Sequence, residues 1–126
     1  MGYKFFAVCD GHGQYVHMVS NQIKQQLPKH LGQYLKELGY IENQILKAFE
    51  ITNKELCYSE IDTNLSGSTT VSLLIIKDII YSANVGDSRA IMCKFDNGWT
   101  VIELSRDHKP EDPQKKKKDF GCRWKS

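Results

Sequence analysis

The chain has no uninterrupted apolar stretch near the roughly 20 residues that a membrane-spanning helix needs, so no such span is expected. Its first residues, Met1-Gly2-Tyr3-Lys4-Phe5, lack a basic region followed by a long apolar segment, so no secretory signal is expected. Gly2 raises N-myristoylation, but Phe6 stands where that pattern needs Ser or Thr. Neither sign of charge dominates, and a net charge of +2 is too small to argue for a nucleic-acid partner. Cysteine is sparse, and Cys9, Cys57, Cys93 and Cys122 form no C-x-x-C pair, which argues against a zinc site. Cys9 and Cys93 fall in apolar strand patterns and read as small buried hydrophobes. A reduced, cytoplasmic or nuclear setting fits that usage. There is no internal repeat and no long low-complexity segment. What remains is the composition of an ordinary globular protein, long enough for one domain with a core.

Two kinds of periodicity follow one another. Residues 3–9 read as a fully buried strand. Residues 14–27 carry Val16, Val19, Ile23 and Leu27 as one helical stripe. Pro28 should end or kink that helix, after which Leu31, Leu35 and Leu38 continue the pattern to Gly39. Ile45, Phe49, Thr52 and Leu56 mark a second helix over 41–59. Both helices have polar opposite faces and should lie on a surface of the domain. From Ser66 the period changes to that of strands, over 68–76, 79–85, 89–95 and 99–104. The breaks at Lys77-Asp78, Gly86-Asp87-Ser88 and Asp96-Asn97-Gly98 are too short for parallel crossovers and suit antiparallel neighbours. Asn97-Gly98 is a hairpin-turn signal. The order indicates an α+β domain with helices packed on an antiparallel sheet. Residues 106–126 read as a turn-rich basic tail. The run Lys115 to Lys118 is either a solvated face or frayed tail, or a contact for nucleic acid or anionic lipid.

The chemistry concentrates at Asp10-Gly11-His12-Gly13, where the first strand gives way to the first helix. Glycines on both sides of His12 let the backbone turn sharply and approach a ligand closely. An ionised carboxylate at a buried strand end costs several kcal/mol unless a cation or hydrogen bonds offset it. A bound metal ion would do so, and a water on it could act as nucleophile near neutral pH. The alternative is that Asp10 only caps the following helix.

Three further segments accompany this motif in order: Ser66-Gly67-Ser68-Thr69-Thr70-Val71, Asn84-Val85-Gly86-Asp87-Ser88-Arg89-Ala90 and Asp107-His108-Lys109-Pro110. Together they resemble the signatures of the metal-dependent serine/threonine protein phosphatases of type 2C, from about Phe5 to Gly121. The resemblance implies an antiparallel β-sandwich flanked by α-helices in four layers, present here in part. It also implies hydrolysis of phosphoserine and phosphothreonine in a phosphoprotein substrate by a water on two Mg²⁺ or Mn²⁺ ions. Asp10 falls on the family's bridging carboxylate, Gly11 on a carbonyl ligand and His12 on the proposed general acid; a turn residue bonded locally is the alternative for His12. Asp87 falls on an aspartate near a further metal position, or else braces a tight turn with Arg89. Arg89 reads as structural, Ser66 to Thr69 as close packing at a strand start, and Asp107 and His108 as turn-shaping residues or substrate contacts.

The chain also departs from that pattern. Residues 1–126 read as a partial domain, without the family's preceding strand, which carries an arginine and an acidic pair, and without its C-terminal half with two more metal-binding aspartates. Gln14 stands where many relatives have glycine, and Phe120-Gly121-Cys122 where an Ala-Gly-Gly-like turn is usual. Asp10 would then have few acidic partners, and little or no phosphatase activity is expected of the isolated chain. The competing reading is a non-catalytic remnant that binds a phosphoprotein or partner protein.

Overall fold

The structure is a computed structural model, and it describes residues 2–64 and 66–106. Its element order is β1 (Lys4–Val8), β2 (Gly11–His12), α1 (Val16–Tyr34), α2 (Ile41–Cys57), β3 (Gly67–Ser68), β4 (Thr70–Ile76), β5 (Ile79–Val85), β6 (Ile91–Phe95) and β7 (Trp99–Glu103). Three antiparallel strands form the main sheet in the order β1-β4-β5, with β2 pairing β3 and β6 pairing β7 separately. The turn 86–90 therefore separates two sheets; the expected antiparallel pairing of the strands on either side of it is not formed. The expected strand over 68–76 is likewise divided at Thr69.

The sheet has one covered face. Phe5, Cys9, Leu74, Ile76, Tyr81, Ala83 and Val85 pack against the helical core of Val19, Ile23, Leu27, Leu31, Leu35, Ile45, Ala48, Phe49 and Leu56. Both helices thus lie on one surface of the sheet, as their amphipathic patterns require. Side chains alternate across a strand, so Phe6 and Val8 point away from the helices and are 57% and 65% exposed. This corrects the expected fully buried first strand: among the described residues β1 is an edge strand covered on one face only. The β6–β7 hairpin is exposed throughout β7. It leaves Cys93 exposed rather than buried, while Cys9 is half-buried. Cys57 is disulfide-bonded. Asn97 adopts φ 56° in the hairpin turn, as the Asn-Gly signal predicts.

Pro28 neither ends α1 nor interrupts its buried stripe. A proline inside a helix removes one backbone hydrogen bond and costs about 3 kcal/mol. Leu27 and Leu31 on either side of it are 1% and 2% exposed, and burial of such residues contributes about 1.5–3 kcal/mol each. Packing outweighs local propensity. The stripe does not reach Leu38, which is fully exposed beyond the helix end. In α2, Ile45, Phe49, Thr52 and Leu56 are buried as their spacing predicts. Among the described residues no helix is long and apolar enough to cross a membrane. The tail motif at Asp107 and His108, and Lys115 to Lys118, lie outside the described residues.

Candidate functional site

The Asp10-Gly11-His12-Gly13 segment is an extension of the β1–β4 ladder. Val8 opposes Val71, Gly11 opposes Ser68 and His12 opposes Gly67, all in one continuous register. Strand alternation then places Asp10 and His12 on the open face, with Phe6 and Val8, and turns Gly11 toward the helices. The packing confirms it: a Cβ at Gly11 would stand 2.5 Å from Val16 Cγ2 and 3.0 Å from the Val16 carbonyl oxygen. The approach of α1 requires a glycine here. Gly13, with φ 95°, supplies the turn into the helix.

Asp10 does not cap α1. The N-cap is Tyr15, which has no side-chain cap hydrogen bond of its own; its N–H donates to Ser66 Oγ at 3.0 Å. Asp10 is exposed, so the burial penalty expected for its carboxylate is not incurred. His12 is half-buried.

A run of buried hydroxyls holds the segment in place. Ser66, Ser68, Thr69 and Thr70 are each at most 3% exposed. The Thr69 N–H donates to the Asp10 carbonyl at 3.0 Å, and the Asp10 N–H donates to Thr69 Oγ1 at 3.1 Å. Thr69 Oγ1 also lies 2.6 Å from Ser88 Oγ, which brings the Gly86-Asp87-Ser88 turn to the end of the same ladder. Asn84 fixes that turn from the other side. Its amide donates to the Gly86 carbonyl at 3.1 Å and to the Arg106 carbonyl at 2.7 Å. Asp87 and Arg89 are exposed.

The sequence offered Asp10 and His12 as site residues and Asp87 as either a further metal ligand or a turn brace, and the structure joins the Asp10 segment to the Asp87 turn through Thr69. Sequence reasoning missed the means. Thr69, Ser88 and Asn84 form the connection, and the available signal was an asparagine inside an apolar strand, a residue type depleted in strands.

The groups that the sequence offers as ligands, the Asp10 and Asp87 carboxylates and the Gly11 carbonyl, are all oxygen donors, which would suit a hard divalent cation and no soft one. Their chemistry fits one largely hydrated cation, since Mg²⁺ is commonly held by one or two carboxylates and several waters. They do not make up a two-cation centre: among the described residues no group of three or more His, Cys, Asp or Glu side chains converges.

A separate groove lies elsewhere. With a volume of about 770 Å³, it runs between β1 and α1, lined by Phe5, Cys9, His17, Asn21, Ile23 and Lys24. It opens on the helix side of the sheet, opposite the face that carries Asp10 and His12. Burial pushes the Cys9 thiol up, partly offset by its contact with Thr70 Oγ1 at 3.5 Å.

This arrangement of sheet, helices and motif-bearing turns is a phosphatase fold. The crystal structure of the PPM Ser-Thr phosphatase MsPP from Mycobacterium smegmatis superposes with a TM-score of 0.61 at 21% identity, covering 82% of this chain and 43% of that one. The serine-threonine phosphatase 2C from Toxoplasma gondii gives 0.60 at 22% identity, over 89% of this chain and 42% of that one. At sequence level the family model "Protein phosphatase 2C" matches residues 2–117. The chain belongs to the protein phosphatase 2C family. It is 40% identical over 107 residues to probable protein phosphatase 2C 35 of Arabidopsis thaliana, covering 84% of this chain and 31% of that protein. It is 35% identical over 113 residues to probable protein phosphatase 2C 45 of Oryza sativa subsp. japonica, covering 90% and 38%. The chain thus spans about a third of the length of these curated relatives.

Proposed function

We propose that this chain supplies part of the active face of a metal-dependent phosphatase acting on phosphoserine and phosphothreonine in proteins. The observation that carries the reading is the placement of Asp10 and His12 on one open sheet face, with the Asp87 turn tied to the same strand end. Asp10, Gly11 and Asp87 offer oxygen donors to Mg²⁺ or Mn²⁺. Such an ion, when bound, polarises the phosphoryl group and lowers the pKa of a coordinated water. His12, on the same face as Asp10, is the proton donor to the leaving serine or threonine oxygen. The substrate is a phosphoprotein, and neither nucleic acid nor a membrane is a partner. A cytoplasmic or nuclear location belongs to the same proposal.

A second reading is favoured by one observation: no third acidic or imidazole ligand joins the donors among the described residues. On that reading the chain is a non-catalytic remnant that binds a phosphoprotein or partner. Calorimetric titration of the folded chain with Mn²⁺, with Asp10→Asn as control, separates the two. Micromolar binding abolished by the substitution supports a working part-site, to be followed by a phosphopeptide hydrolysis assay in which turnover of the isolated chain is low. No binding by a folded chain favours the remnant.

A further inference from the structure

We infer that Thr69 is the positioning residue of this site: its hydroxyl sets where Asp10 stands relative to the Asp87 turn. The inference rests on the reading of Asp10 and Asp87 as cation donors.

The argument starts from the ladder. Asp10 and Thr69 are directly opposed in the register that runs from Val8–Val71 to Gly11–Ser68. In a regular antiparallel ladder, an opposed hydrogen-bonded pair exchanges both of its N–H···O=C bonds. Here one is kept, from the Thr69 N–H to the Asp10 carbonyl at 3.0 Å. The other is replaced: the Asp10 N–H goes to Thr69 Oγ1 at 3.1 Å. The Thr69 carbonyl accepts instead from Ser68 Oγ and Thr70 Oγ1, both at 2.8 Å. Three neighbouring hydroxyls have rewritten the pairing at the one position that carries the candidate ligand, and β3 and β4 are divided there.

A hydroxyl has one proton and two lone pairs. Thr69 Oγ1 spends one lone pair on the Asp10 N–H. Its remaining capacity meets Ser88 Oγ at 2.6 Å, one residue from Asp87. Asp10 and the Asp87 turn are therefore joined through a single oxygen that is 3% exposed with its residue. Without that oxygen, the Asp10 N–H is left without its partner or swings back to the Thr69 carbonyl. Either event moves Asp10, and the Ser88 hydroxyl loses its anchor at the same time.

The test uses the full chain and four variants: T69V, which keeps the shape and removes the hydroxyl; T69S, which keeps the hydroxyl; S88A; and T69V/S88A. Amide hydrogen exchange is read by NMR at Asp10 and over 86–88, with the Leu74 amide as reference for global opening. Mn²⁺ affinity is read by calorimetry. T69V is expected to speed exchange at both segments, and to weaken Mn²⁺ binding, by about tenfold each, the equivalent of one lost hydrogen bond. Leu74 exchange changes less, T69S returns both readouts to near wild type, and the double variant is no worse than T69V. A residue that only fills space would move Leu74 equally and would not be rescued by serine alone. Exchange at Asp10 and 86–88 within about twofold of wild type in T69V, or equal behaviour of T69V and T69S, overturns the inference. If T69V does not fold, S88A decides: it must loosen 86–88 and weaken Mn²⁺ binding, and failure to do so overturns the inference. The two readings fail separately. A wild-type chain that ignores Mn²⁺ while T69V loosens both segments sinks the cation site and leaves the coupling standing. Equal Mn²⁺ binding by wild type, T69V and S88A sinks the coupling alone.

Discussion

Replacing Gly11 with alanine tests how the helix layer dictates the geometry of the open face. The new Cβ would meet Val16 Cγ2 at 2.5 Å, the Val16 carbonyl oxygen at 3.0 Å and Ser20 Cβ at 3.6 Å. Carbon atoms in favourable contact sit about 3.5–4.0 Å apart, so the first distance is deep in repulsion. Val16 cannot yield cheaply. It is β-branched, with one preferred rotamer in a helix, and leaving that rotamer costs about 0.5–1.5 kcal/mol. Its carbonyl is held too, since it accepts from Ser20 Oγ at 3.0 Å. The start of α1 must move away from the strand, or the strand from α1. Overpacking of this kind costs about 1–3 kcal/mol, and we expect about 2 kcal/mol, or a Tm lowered by roughly 5–10 °C at this chain length. Urea denaturation followed by circular dichroism measures it. Val16→Ala in the same chain removes the Cγ2 contact and should return part of the loss, with a coupling of about 0.5–1.5 kcal/mol. A Gly11→Ala chain with the wild-type urea midpoint would refute the reasoning, because the glycine would then have no packing role.

Leu27→Ala, at a core position 1% exposed, should cost about 2–5 kcal/mol in urea denaturation. That is a large share of the roughly 5–15 kcal/mol that holds a domain together. Stability should also depend on the Cys9 thiol. Burial raises its pKa above the unfolded value of 9.0, so the unfolded chain ionises first as pH rises. Its contribution is full below that value and is lost as pH climbs through the folded pKa. Urea midpoints measured from pH 7 to pH 10 should fall at the alkaline end, and less steeply in Cys9→Ala. Finally, Phe6→Lys places a charge on the exposed face of an edge strand, where Phe6 is 57% exposed. Sedimentation at increasing concentration should show less self-association than the wild type, with the urea midpoint little changed.

Much of this architecture was legible from residue patterns, for definable reasons. A stripe such as Ile45, Phe49, Thr52 and Leu56 must be buried somewhere, so its helix and its inward face followed from spacing alone. The same logic failed for β1. An apolar run such as 4–8 states that its residues prefer burial, not whether a second layer is present to bury them, and Phe6 and Val8 meet none among the described residues. Of the two outcomes expected at Pro28, an end to the helix did not occur. The proline's local penalty was read correctly, but the stripe continuing through Leu27 and Leu31 is a tertiary term that outweighs it. At the candidate site, the residue types of Asp10, His12 and Asp87 suggested the chemistry now proposed for them. The pairing that positions them was hidden, because Thr69 looks like any β-branched strand residue until its opposite number is known. Strand register is a long-range property, and no local window contains both Asp10 and Thr69.

The open face ties the expected weakness of the isolated chain in catalysis to its expected weakness in solution. Asp10 is exposed, and a carboxylate in water attracts a divalent cation through a high dielectric, where two unit charges 4 Å apart gain only about 1 kcal/mol. The same pair near a protein surface with an effective dielectric of 20 gains about 4 kcal/mol. If the proposed cation binds there, covering the face would strengthen its attraction to Asp10 without altering a residue. It would also bury Phe6, Val8 and Ile80, now 57%, 65% and 40% exposed, each contributing about 1.5–3 kcal/mol when fully withdrawn from water. Metal affinity and resistance to aggregation should therefore rise together on any covering of that face. A change confined to the helix side, such as at the groove beside Cys9, should move neither.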